Sequence, residues 1–168
     1  MKKIIISLFL IVIFNLSFNS NEVVIPEKSI RYRIVANSNS DIDNYNKLRA
    51  NEIVFPIINN IMNNSNSIEE TRNNIKKNIF NIEQKLNSLG LKYNISFGQN
   101  YFPSKIYLDT NYESGNYESL VIYLDDAKGD NFWCVMFPPL CLIDIKSQNL
   151  DKLEYKSYVK EIINKYSN

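Results

Sequence analysis

Apolar and polar residues alternate along Ile30-Arg-Tyr-Arg-Ile-Val-Ala36, the period of two expected of a strand with one buried face. Asn37-Ser38-Asn39-Ser40 ends that run and offers caps for a helix starting near Asp41. Leu48, Phe55, Ile58 and Met62 then follow one helical face, and Pro56 inside the pattern is expected to kink the helix or split it in two. A second helix is announced by the capping box Ser67-Ile-Glu-Glu70 and by the stripe Ile68, Ile75, Ile79, Ile82, Leu86, Leu89, with Gly90 at the left-handed cap position. Beyond it the pattern turns strand-like, over residues 91–97, 105–109, 118–124 and 133–137. Asp125 to Asn131 has the composition of a hairpin turn between the last two strands, and Leu150 to Tyr166 is expected to be a closing helix. This order predicts a single α+β domain, a mainly antiparallel sheet with helices packed on one face.

The first twenty residues read differently. Met1-Lys2-Lys3 is a basic start, Ile4–Phe14 an apolar run broken only by Ser7, and residues 15–21 are rich in Asn and Ser. That is the layout of a secretory signal, and the apolar run is shorter than a spanning helix needs. Small residues of the A-x-A type are missing, so a cleaved signal and an uncleaved anchor both remain open for 1–20. Residues 21–29 form a tether, and 30–168 the folded domain. Membrane attachment is expected through the first segment alone.

Charge and composition exclude more than they assign. Without Lys2 and Lys3 the chain has 17 basic against 18 acidic residues, a balance that gives nucleic acid no basic face to bind. There is no histidine among the 168 residues, so neither Ser-His-Asp nor Cys-His catalysis is available, nor a His-ligated zinc site. Asp109-Thr110-Asn111 lacks the glycine and the second copy that an aspartic-protease dyad requires. Asp125, Asp126 and Asp130 match no standard calcium loop and read as a solvated turn. No catalytic residue, metal or cofactor is expected.

The densest chemistry lies in Asn131-Phe-Trp-Cys-Val-Met-Phe-Pro-Pro-Leu-Cys-Leu-Ile-Asp144, which holds the single tryptophan and both cysteines. Paired cysteines in an exported chain are read first as a disulfide, Cys134 to Cys141, with Pro138-Pro139 reversing the chain between them. A redox-active pair and free buried thiols are the alternatives; the Cys-x-x-Cys spacing at a helix start that redox catalysis favours is absent. Trp133, Phe137, Pro138 and Pro139 are expected to present a rigid apolar turn to a partner, because a Pro-Pro turn is hard to bury within a sheet.

The same segment resembles the signature of the stage II sporulation protein R family, Asn-Trp-Trp-Cys-Val-Leu-Phe-Pro-Pro-Leu-Cys-Phe-Val-Asp. Ile30-Arg-Tyr-Arg-Ile-Val-Ala-Asn-Ser38 resembles that family's opening strand, Tyr117-Glu-Ser-Leu120 after Gly115 its Gly-x-Tyr-Glu-Ala-Leu element, and Ala127-Lys-Gly129 its Gly-Lys-Gly turn. Phe132 stands where the family has its first Trp, and Asp125-Asp126-Ala127 where it has Gly-Glu-Gly. The resemblance implies a signalling protein made in the forespore and exported into the space between forespore and mother-cell membranes. There it would activate a membrane-embedded aspartic protease that cleaves pro-sigma-E. Arg33, Asn37 and Glu118 are the polar motif residues expected beside the apolar turn. An exported thiol or hydrolytic enzyme and a structural envelope domain are the competing readings.

Overall fold

The computed structural model describes residues 25–26, 28–107, 110–141, 162 and 164–166; the segment 1–20, Asp109 and most of the expected closing helix lie outside them. Among the described residues the elements run in the order β1 (Ile30–Val35), α1 (Asp41–Asn63), α2 (Ile68–Asn87), β2 (Tyr93–Phe102), β3 (Lys105–Tyr107), β4 (Thr110–Tyr112), β5 (Gly115–Leu124) and β6 (Asn131–Phe137), and residues 164–166 are helical. Four of the strands form one sheet in the order β2-β5-β1-β6, and β3 and β4 form a separate antiparallel pair. The central pair, β1 with β5, is parallel, while β2–β5 and β1–β6 are antiparallel. The chain is therefore a single α+β domain, as its pattern predicts.

Period-two alternation in β1 sorts the core. Ile30, Tyr32 and Ile34 are fully buried and join Leu120, Ile122 and Leu124 of β5 and Cys134, Met136 and Phe137 of β6 under the helices. The helices answer with Ala50, Val54, Ile58, Ile61 and Met62 from α1, and Ile75, Ile82 and Leu86 from α2. At about 25 cal/mol per Å² of apolar surface removed from water, this face supplies most of the driving force for folding. Ser67 accepts from Glu70 N, and the Glu70 carboxylate accepts from Asn66 N at 2.7 Å, one residue beyond the N-cap that a standard capping box uses. Gly90 takes φ +67°, the left-handed cap its position implied.

Two expectations are corrected in α1. Pro56 does not divide it: one helix runs from Asp41 to Asn63, with Pro56 on its exposed side. Buried residues on both sides of the proline, Val54 and Ile58, keep both turns packed on the core despite the missing N–H, so the helix is not split. Leu48 is 62% exposed rather than part of the buried stripe. The stripe is set by Ala50 and Val54, small enough for the helix to lie close to the sheet.

The expected hairpin between the last two strands is also corrected. β5 and β6 are not neighbours, because β1 lies between them. Residues 125–130 instead step over the end of β1, where Gly129 N donates to Ala36 O, Lys128 N to Asn37 O and Ala36 N to Asp130 O. The crossing is so tight that a Cβ on Gly129 would lie 2.3 Å from the Ser38 carbonyl oxygen. Asn37 Oδ1 accepts from Asp126 N at 3.1 Å and Asn39 Oδ1 from Asp130 N at 2.6 Å. On its other side Asn37 donates to the Asp43 carboxylate at 3.1 Å, which also accepts from the hydroxyls of Ser38 at 2.5 Å and Ser40 at 3.0 Å. A stretch that reads as a strand stop is thus a polar joint between β1, α1 and the crossing loop.

Two outcomes test this joint. Gly129→Ala should lower the denaturant midpoint by more than Gly90→Ala, which loses about 1 kcal/mol for its left-handed backbone; the clash with fixed backbone adds overpacking cost. Equal midpoints would show that the crossing relaxes freely. The donors from Ser38, with those from Ser40 and Asn37, hold the Asp43 pKa below the usual carboxylate range. Its contribution is therefore complete above the ordinary Asp pKa and is lost as pH falls through the depressed folded value. Asp43→Asn should lower the midpoint at neutral pH and flatten its decline in acid, measured by urea titration between neutral pH and about pH 3.

Candidate functional site

The two motif segments meet as neighbouring strands, with Arg31 opposite Val135, Tyr32 opposite Cys134 and Arg33 opposite Trp133. The register shifts between Ile30 and Arg31, where Phe137 comes opposite Ile30. An irregularity of this kind re-aims the side chains beyond it. It turns Phe137 into the helix-side core, 6% exposed, with its ring edge-on to Tyr166 at 5.4 Å. The following peptide, Phe137–Pro138, is cis. The chain reverses there, and Leu140 N donates to Pro138 O at 2.7 Å and to Val135 O at 3.1 Å. Cys134 and Cys141 are joined by a disulfide, with Cα atoms 5.1 Å apart, and both are buried.

The expectation of an exposed apolar knob is corrected here. Phe137 and Pro138 are buried, and Pro139 is half-buried. The reason is the irregular register together with Tyr166, whose ring packs on Phe137. A Pro-Pro turn cannot sit within a ladder, but it can close the end of one. Nor do the polar candidates gather round it. Asn37 lies past the other end of β1, in the joint described above. Glu118 faces the helices, where Arg72 of α2 grips it with two bonds, Nε to Oε1 at 2.6 Å and Nη2 to Oε2 at 2.8 Å. Arg72 also pairs with Glu69, and the Glu118 bond above all raises its pKa. Both residues fasten elements together.

Arg33 and Trp133, by contrast, share the sheet face away from the helices. That face carries a smaller cluster of Val35, Phe102 and Val121, flanked by Tyr117, Tyr123, Ala127 and Trp133. Phe102 and Tyr112 each meet the Trp133 ring edge-on, at 6.5 Å and 5.3 Å. Arg31 is drawn into the same cluster. Its guanidinium carbon sits 3.4 Å from the Tyr117 ring centre, 5.3 Å from Phe102 and 5.4 Å from Trp133. Burial pushes the pKa values of Arg31 and Arg33 below their ordinary level. Arg31, Phe102 and Tyr117 were not candidates from sequence. The alternation in β1 does put both arginines on one face, yet nothing in a single strand shows which aromatic residues will cover them.

Among the described residues no three His, Cys, Asp or Glu side chains are grouped to hold a metal ion, and no helix is long and apolar enough to cross a membrane. Asp125, Asp126 and Asp130 are exposed, and Asp126 pairs with Lys128 at 2.9 Å.

The two dense motifs are neighbouring strands of one mixed sheet, closed at its end by a disulfide turn. The model of the family described as stage II sporulation protein R matches residues 26–147, and the chain belongs to that family. Stage II sporulation protein R of Bacillus subtilis (strain 168) is 37% identical over 131 residues, which is 74% of this chain and 58% of that protein. The chain thus matches less than two thirds of the relative's length. No solved structure matches. Family membership gives the chain a role in sporulation.

Phe137→Ala should cost about 3–5 kcal/mol, as an emptied aromatic core site does. Guanidinium titration would show it. An unfolding midpoint within error of the parent would return Phe137 to the surface.

Proposed function

We propose that the chain is an exported signalling protein that acts by binding, not by catalysis. Made in the forespore and delivered to the space between the two membranes, it engages the membrane-embedded aspartic protease that cleaves pro-sigma-E and so switches on processing in the mother cell. The observation that carries this reading is the family match over residues 26–147, which takes in the whole described sheet and both motifs. Two structural features support it. The motif residues build one another's surroundings as paired strands, and they leave Trp133 and Arg33 half-buried at the open face rather than enclosed round a reaction centre. In this reading Trp133, Arg33 and the half-buried Pro139 belong to the contact surface. Phe137, Pro138, Asn37, Glu118 and the Cys134–Cys141 bridge hold that surface in shape.

Activity in this account depends on export. An arginine within Ile4–Phe14 costs a few kcal/mol on membrane-insertion scales. In sporulating cells Ile11→Arg should leave the chain present but cytoplasmic, with pro-sigma-E unprocessed on an immunoblot. Normal processing by chain retained in the cytoplasm would refute the proposal.

A further inference from the structure

Arg31 is 4% exposed, and its Nε has no hydrogen-bond partner. Arg33 beside it also has an unpartnered Nε, and keeps one bond, from Nη1 to the Tyr101 carbonyl at 3.1 Å. Ion pairs among the described residues join Arg72 to Glu69 and Glu118, and Lys128 to Asp126; among those residues neither β1 arginine meets a carboxylate. Aromatic faces attract a cation but are no in-plane acceptors for its N–H groups; the Tyr117 hydroxyl bonds to the Arg31 guanidinium and still leaves Nε unpartnered. A buried charge is normally matched by an opposite one, because the interior does not replace the water it has lost. The Arg31 guanidinium also borders a recess of about 10 Å³, lined by Phe102, Pro103, Tyr112, Asn131 and Trp133. That is room for about one water-sized oxygen.

We propose that this recess is a binding site for the carboxylate of a glutamate or aspartate side chain carried by a partner protein. The planar guanidinium fork suits a carboxylate edge, and a recess of this size admits one oxygen while the second stays at the rim. Phosphate, larger and doubly charged, would have to shed water against Pro103 and three rings. The rings and Pro103 instead match the aliphatic stem of an acidic side chain. Asn131 and Trp133 of the lining lie on β6, an outer strand of the sheet, so an approaching chain can reach the recess from that side. This deepens the signalling reading, on which it rests only in taking the occupant to be a protein.

Trp133 is the single tryptophan and lines the recess, so its fluorescence reports occupancy of the purified full chain. Acetyl-Ala-Glu-Ala amide should give a saturable change at neutral pH, with at least ten-fold weaker binding for acetyl-Ala-Gln-Ala amide and for the Arg31→Lys variant. Arg31→Met should show no saturation while its unfolding midpoint stays equal or rises, since an unmatched buried charge is replaced by an apolar side chain of similar length. Four outcomes would overturn the proposal: no saturation by the glutamate peptide, equal binding of the glutamine peptide, stronger binding of inorganic phosphate or of acetyl-Ala-Ala-Ala as the free acid, or a lowered Arg31→Met midpoint. The last would make Arg31 a structural residue. None of these readouts depends on sigma-E processing, so failure here and failure of the signalling reading are separately visible.

Discussion

The insertion of β1 between β5 and β6 is the constraint on which the rest of the structure depends. A strand in that position uses both of its edges, bonding in parallel to one neighbour and antiparallel to the other. It also forces the chain between β5 and β6 to climb over its end. The climb rests on the end of β1 and the crossing loop: the backbone of Ala36 and Asn37, the side chains of Asn37 and Asn39, and Gly129 without a Cβ. Asp43 then ties the same joint to the start of α1.

The two faces of the sheet are unequal. Under the helices, Ile30, Tyr32 and Ile34 meet an aliphatic layer. On the other side, Arg31 and Arg33 share their surroundings with rings and with the buried amide of Asn100, whose Nδ2 bonds to Ser119 at 3.1 Å and 3.0 Å. A face held by directed polar bonds is less adaptable than an oily one, since its groups must keep their directions. Such rigidity suits a surface that is read by another molecule.

How much of this is legible in the sequence depends on range. The capping box at Ser67, the stripe from Ile75 to Leu86 and the cap at Gly90 are local, and each appears where its residues place it. The alternation of Ile30 to Val35 correctly separates the two faces of β1. Strand order is not local: Asp125 to Asn131 has good turn residues, and nothing in it reveals that a third strand passes beneath. The burial of Phe137 escapes for the same reason, since it depends on a register shift against Ile30 and on Tyr166 from the far end of the chain. The disulfide was legible because cysteine spacing constrains both partners at once.

The parallel pairing of β1 with β5 joins Arg31 to Ser119 and Val35 to Tyr123, partners 88 residues apart in sequence. Contacts so distant in sequence form slowly, because a long loop must close before any of them is gained. A chain emerging N-terminus first therefore cannot complete the centre of its sheet until nearly the whole domain is available. Helices α1 and α2 can form earlier, but their apolar faces have nothing to cover until then. The topology delays the native state to the end of synthesis, and a chain that stays open that long is one that can still be threaded through a membrane pore.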